Sequence, residues 1–448
     1  MPYHGSATRT RAISSGLVVW WCATLYQVVY LASDSLTFAA EATQAGSLYN
    51  QIKIAFFACI GIGAIVTAPH PAIRRRSLGQ LLPLIIYVVW AMATLLWTSS
   101  LEVSIRRLIQ FVFILAGSVG LGVGFYGMIP SGINVLARHL MYAGMSTACL
   151  VLAISGGELN LANLLNPDWT SSARSIWGYL APPILYALPS LWFITKRRRY
   201  LFCFVSVLFF LCLFMLKVRS EGIFAVMALV AVVWSARKRS LLSAVGLLLA
   251  GITFVISVLF LQDSLSALTE TIMPYWARGE RASTVESLTG RLPLWHYLTA
   301  RIAERPLVGK GFGAFWTGNE FANAFNYVRW MATAAHNGFI DELLATGAVG
   351  LAAFLVFWGF GLAWSVKLMQ QPGCRRSGAL VMSWLLLFLL LNTTDSFLQE
   401  FARFPFSASL VGMFAISSSV SSSRIAGINI QRNQIMAFHR RGVSTVDV

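Results

Sequence analysis

Arg375-Arg-Ser-Gly-Ala-Leu-Val-Met-Ser-Trp-Leu-Leu-Leu-Phe-Leu-Leu-Leu391 opens on two arginines and runs on through an apolar centre. As a helix, the apolar run 378–396 has the length of a bilayer core, which takes about 17 to 25 residues. Comparable runs recur at 16–32, 51–68, 81–97, 106–127, 134–154, 175–194, 200–216, 222–236, 241–261, 338–366 and 405–422. The chain of 448 residues is 57% apolar and 11% charged. Soluble domains carry roughly 25% charge, so the polar skin of two or three such domains is not available here. The expected fold is an all-α polytopic membrane protein with about 12 transmembrane helices.

The basic residues set the orientation. They gather at Arg9/Arg11, Arg74–Arg76, Lys196–Arg199, Arg237–Arg239, Lys367/Arg375/Arg376 and from Arg424 to Arg441. Each cluster falls in an even-numbered loop, counting the N-terminus as zero, and Lys and Arg stay on the cytoplasmic side of short loops. Both termini are therefore expected in the cytoplasm. The acids agree independently: of 17 Asp and Glu, only Asp447 falls on that side. The expected layout is a cytoplasmic segment 1–15, helices one to nine over 16–261, a long external loop 262–337 between helices nine and ten, helices ten to twelve over 338–422, and a cytoplasmic tail 423–448. The basic start, Met1 to Arg11, precedes the apolar run Gly16–Leu31 without a convincing cleavage site, which reads as a retained signal-anchor helix.

A net charge of +17 would suggest nucleic acid in a soluble chain. Here its placement follows the membrane instead, and no nucleic-acid partner is expected. Five of the six cysteines lie inside apolar spans and none forms a CxxC pair, so neither a metal site nor a disulfide framework is indicated.

Basic residues on the outer side work against the insertion bias and need a reason. They include Arg106, Arg107, Arg174, Lys217, Arg219, Arg278, Arg281, Arg291, Arg301, Arg305, Lys310, Arg329 and Arg403. Pairing with nearby acids or snorkelling to headgroups is one reason. An anionic ligand with a hydrophobic body, a lipid phosphate or diphosphate, is the other. Arg219, in Lys217-Val-Arg-Ser-Glu221, joins two apolar spans with almost no loop and lies close to the hydrocarbon, where charge is functional by default. From Arg291, the spacing of Leu292, Trp295, Leu298/Thr299 and Ile302 predicts a helix in the membrane interface, with Pro293 in its first turn. Gly309-Lys-Gly-Phe-Gly313 reads as a chain-reversing loop and lacks the setting of a nucleotide site. His336, followed by Asn337-Gly338, stands where the loop re-enters the bilayer, in the company of Arg291, Asp341 and Glu342. That company makes it the candidate base.

Four stretches resemble the O-antigen ligase and Wzy-type polymerase superfamily, closest to exopolysaccharide polymerases. They are Trp97-Thr-Ser-Ser-Leu-Glu-Val-Ser-Ile-Arg-Arg107, Lys217-Val-Arg-Ser-Glu-Gly222, the block Gly290-Arg291…Trp295…Pro306…Gly309-Lys-Gly-Phe-Gly313, and Ala335-His-Asn-Gly-Phe-Ile-Asp-Glu-Leu-Leu-Ala-Thr-Gly347. Two positions depart from the pattern: Thr346 stands where an acid is often found, and Val218 precedes Arg219 in place of a small polar residue. The resemblance implies inverting transfer of an oligosaccharide from undecaprenyl diphosphate to an acceptor hydroxyl in the periplasm, at the bacterial inner membrane, without a nucleotide sugar. It implies His336 and Arg291 as catalytic groups and Arg219, Arg291 and Arg174 as diphosphate ligands. No metal or other cofactor is expected, because the external loop contains no closely spaced Asp-x-Asp pair. The implied partners are the lipid-linked oligosaccharide and the bilayer, with a chain-length regulator and export proteins beside them. Polymerisation into exopolysaccharide is the favoured reaction, and ligation to a lipid A core is the alternative. A lipid-linked oligosaccharide flippase is the non-enzyme alternative, but it would carry charge deep in several spans and repeated halves.

Overall fold

The computed structural model of the protein describes residues 54–56, 58, 59, 62, 82–124, 131–155, 177–194, 199–216, 222–224, 226–230, 233, 291–317, 319–330, 332–399 and 404–417. Among these residues every regular element is a helix. We number them α1 (Leu82–Ala93), α2 (Leu101–Gly124), α3 (Ser131–Ser155), α4 (Trp177–Ile194), α5 (Arg199–Met215), α6 (Arg291–Glu304), α7 (Asn319–Val328), α8 (Gly338–Gln370), α9 (Arg375–Leu391) and α10 (Phe404–Ser417). The expected spans at 81–97, 106–127, 134–154, 175–194, 200–216, 338–366, 378–396 and 405–422 coincide with α1 to α5 and α8 to α10. Those at 16–32 and 241–261 lie outside the described residues, and those at 51–68 and 222–236 are described only in part. Leu101–Gly122, Gly132–Ser155 and Gly338–Gln370 are each long and apolar enough to cross a membrane. This is a multi-pass membrane protein.

Lipid tails are as apolar as Leu, so contact between such helices rests on close packing more than on escape from water. The distribution of side chains follows that rule. Ile85, Ile86 and Val89 on α1 and Phe204 and Val207 on α5 face outward, apolar and exposed. Inside, Trp358 of α8 stacks on Phe388 of α9 with ring centroids 4.5 Å apart, and its indole N–H donates to the Leu385 carbonyl at 3.1 Å. Small residues let the backbones approach: a Cβ at Gly378 would meet the Ser365 carbonyl oxygen of α8 at 2.6 Å. Tyr186 of α4 spends its buried hydroxyl on Ser409 of α10, 2.6 Å away.

The feature that positions the site is a break in α8. At Gly347 the backbone turns to φ 69°, ψ −171°, a region open to glycine. The carbonyls ahead of the break lose their helical partners, and the amides after it do too. A strap of chain after α6 supplies replacements. Lys310 N–H donates to the Leu344 carbonyl at 2.7 Å and Gly311 N–H to Ala345 at 3.0 Å. Ala348 and Val349 N–H donate to the Pro306 and Leu307 carbonyls at 2.9 and 3.3 Å. The Trp90 indole of α1 takes the Thr346 carbonyl at 2.9 Å. Non-helical backbone at membrane depth survives only when protein buries and satisfies it in this way. The glycine run is therefore more than a reversal of the chain: it completes the hydrogen bonding of a broken helix. A Cβ on Gly309 would sit 2.7 Å from the Ala345 carbonyl, so only glycine fits there.

The expected interfacial helix is α6, starting at Arg291, but it faces differently. It buries Leu294 and Leu298 in a small cluster with Phe315, Ala332, Ala335 and Leu344, while Leu292 is exposed. Contact with α8 and the strap decides its buried face. Of the positions that periodicity names, Leu298 and Ile302 pack there, Leu292 does not, and Leu294 is added.

Candidate functional site

His336 lies between α7 and α8 with φ 49°, left-handed backbone that non-glycine residues seldom adopt. The neighbours hold it there. The Ala335 N–H donates to both oxygens of Asp341, at 3.0 and 3.2 Å, and the Ala335 carbonyl accepts the Trp295 indole N–H at 2.7 Å. On the other flank, Asn337 caps α8: its side-chain oxygen accepts from Phe339 N–H at 3.0 Å and Ile340 N–H at 3.2 Å. Gly338 N–H reaches the carbonyls of Asn392 and Asp395 at 2.8 and 3.0 Å, tying the segment to the turn after α9.

Asp341 is the hub of this clamp. Besides Ala335 it accepts from the Trp316 indole at 2.7 Å and from the Ser396 hydroxyl. It thereby joins the strap, the His336 loop and the turn after α9. Glu342, next in sequence, points elsewhere: it accepts from Tyr87 of α1 at 2.9 Å, from Gln399 at 2.6 Å and from Thr346. Both carboxylates are buried and fully engaged, so they act as fasteners, and neither is presented to a substrate. Thr346, which stands where related sequences often carry an acid, instead donates to one.

The imidazole of His336 is 29% exposed and lies against Trp330, centroids 5.7 Å apart. Its Nδ1 is covered by protein without a hydrogen bond among the described residues, and the buried Asp395 carboxylate is the acid beside it, Oδ1 at 3.7 Å. Strained backbone at a pinned, partly exposed histidine is where functional strain collects.

Residues 204–355 match the family model described as O-antigen ligase. Over this stretch the chain is similar to that family. No curated protein matches the chain closely enough to count as a relative. The matched stretch contains α6, the strap, α7, His336 and the broken first part of α8. Members of the matched family are glycosyltransferase-like enzymes, ligases or polymerases.

Within the matched stretch, Arg291 is the first residue of α6, half-buried. Four residues on, and so on the same face one turn away, is the Trp295 that holds Ala335. Helix α6 thus links Arg291 to the His336 loop. Arg291 has no hydrogen bond or ion pair among the described residues. Arg301 and Lys310 do: Arg301 meets Glu304 at 2.6 Å and Glu320 at 3.5 Å, and Lys310 meets the same acids at 2.7 and 3.0 Å. The Lys310 ammonium and the Arg301 guanidinium hold the Glu304 carboxyl below its ordinary range. For these two basic residues pairing, not ligand binding, is the observed use. Arg305 is exposed and donates to the Trp97 carbonyl at 3.3 Å. Arg219 and Arg174 lie outside the described residues. Among the described residues no three His, Cys, Asp or Glu side chains gather as a metal site.

Sequence reasoning passed over Asp395, Ser396, Trp316 and Trp330. Asp395 and Ser396 had a readable signal, since Asn392-Thr-Thr-Asp-Ser396 is a polar run at the end of an apolar span.

Proposed function

We propose that the protein polymerises undecaprenyl-diphosphate-linked oligosaccharide repeat units into exopolysaccharide, at the periplasmic face of the inner membrane, by inverting glycosyl transfer. The pinned His336 carries this reading. An acceptor hydroxyl attacks the anomeric carbon from the face opposite the diphosphate, a new C–O bond forms, and the bond to the diphosphate oxygen breaks. His336 Nε2, the ring nitrogen away from Asp395, takes the hydroxyl proton. Arg291 stabilises charge growing on the departing diphosphate, with Arg219 and Arg174 as further ligands. The support is the family match together with the clamp on Ala335 and the position of Arg291 on the helix that forms half of it. Because the matched family is described as O-antigen ligase, transfer of a finished chain to a lipid A core is the competing reaction.

One assay separates these readings. Purified protein in a bilayer, given only lipid-linked repeat, excess chelator and no nucleotide, is expected to form a ladder of polymer. A strict need for a divalent ion would sink the direct arginine–diphosphate mechanism. Product that appears only after lipid A core is supplied would make the protein a ligase.

The reading also requires twelve spans, both termini in the cytoplasm, and residues 262–337 outside as the catalytic loop. A reporter active only in the periplasm is expected to work when fused after Gln262 or Arg329 and to stay silent after Arg239 or Arg376. The reverse pattern would place the site among nucleotide sugars and overturn the assignment. A chain-length regulator and export proteins are the partners this reaction calls for.

A further inference from the structure

At the end of the helices opposite His336, Arg375 begins α9, with four residues between it and the end of α8 at Gln370. Its guanidinium Nε and Nη2 are covered by protein and have no hydrogen-bond partner among the described residues. Arg376, beside it, is exposed and places its guanidinium 5.5 Å from the ring centre of Trp192, near the end of α4. Lys367 lies in the last turn of α8. In sequence, Lys196, Arg197 and Arg198 follow directly on α4, and Arg199 opens α5. This end is strongly basic, yet the described acids, Glu102, Glu304, Glu320, Asp341, Glu342 and Asp395, all belong to the segments around the other end. Covering a guanidinium nitrogen without an acceptor is costly, and the described chain offers it no anion.

We propose that the exposed Arg376 guanidinium over Trp192, with Arg375 beside it, forms a binding site for the phosphate of an anionic phospholipid. The hairpin between two membrane helices sets these side chains at headgroup depth. A guanidinium fork fits a phosphate with paired N–H bonds, and Trp is the side chain suited to the interface beside it. Basic pockets between membrane helices take anionic headgroups by this chemistry. The site is independent of the reaction proposed for His336 and does not depend on its outcome.

The test compares the full-length protein with Arg375→Gln/Arg376→Gln in bilayer discs of phosphatidylcholine with and without phosphatidylglycerol. The readouts are thermal unfolding and the lipid retained in native mass spectra. The wild type is expected to be stabilised by phosphatidylglycerol and to retain it, and the double variant to retain on the order of ten-fold less. In phosphatidylcholine alone the double variant should unfold only slightly below the wild type, because Arg375 has no acceptor to lose among the described residues and only the Arg376–Trp192 ring contact goes. Arg440→Gln/Arg441→Gln, with the same change of charge in the basic tail, should behave as wild type. Equal retention by the Arg375/Arg376 variant, or equal loss from the tail variant, would overturn the site. Stabilisation of the wild type by inorganic phosphate as strong as that by the lipid would overturn the lipid as its ligand.

Discussion

Replacing His336 with Asn is expected to abolish the proposed polymerisation while membrane insertion and donor binding persist. A base within hydrogen-bond reach contributes about 10² to 10⁴-fold to such a step, and a sugar hydroxyl is a weak nucleophile without one. Asn is the better variant because residue 336 has φ 49°. Asn tolerates left-handed backbone, whereas Ala would add a conformational cost of about 1 to 2 kcal/mol to the chemical loss. The clamp itself uses the backbone of Ala335 and Gly338 and the side chains of Trp295, Asn337 and Asp341, so removing the imidazole leaves it in place. The competing role for His336 is a positive charge for the diphosphate, and pH separates the two. A base gives activity that rises with pH and levels off; a cationic clamp gives activity that falls as pH rises. Polymer at a near wild-type rate from His336→Asn, or a failure confined to donor binding, would remove the base assignment.

Helix existence was legible because a membrane asks so little of a sequence: an apolar run of sufficient length, flanked by polar groups. The run 338–366 reads as one span, and α8 covers it. Its break at Gly347 was not legible, because the isolated glycine differs in no local way from Gly350, which stays helical. What distinguishes Gly347 is the strap from 306–311, which bonds across the gap, and that contact joins residues about forty positions apart. The site shows the same division. His336, Arg291 and Trp295 stand out as residue types placed at a boundary. Asp341 and Glu342 look alike in sequence, a pair of acids one residue apart, yet one braces the His336 loop and the other reaches back to α1. Successive helical residues point about 100° apart, so the two serve different neighbours, and only the packing says which. The outer basic residues divide in the same way, since Arg301 and Lys310 are neutralised by Glu304 and Glu320, which the count of charges could not reveal.

That neutralisation sharpens the expectation for Arg291. Arg291→Lys keeps the charge and suits a helix start, so α6 and its hold on Ala335 through Trp295 should survive. What disappears is the planar fork that grips phosphate through two parallel N–H bonds, leaving a point charge. If Arg291 stabilises the leaving diphosphate, the loss should fall on kcat and reach about 10² to 10³-fold, as for other donors aimed at developing charge. Arg301→Lys on the same helix is the matched control and should stay close to wild type, because its partners are the exposed Glu304 and the half-buried Glu320, and such solvent-accessible pairs are worth about 1 kcal/mol or less. The measurement is turnover of lipid-linked repeat by purified protein at saturating donor, with circular dichroism to show that both variants keep their helices. Near-normal turnover from Arg291→Lys would reduce Arg291 to a general positive charge. Equal damage from Arg301→Lys would shift the argument from the diphosphate to the packing of α6.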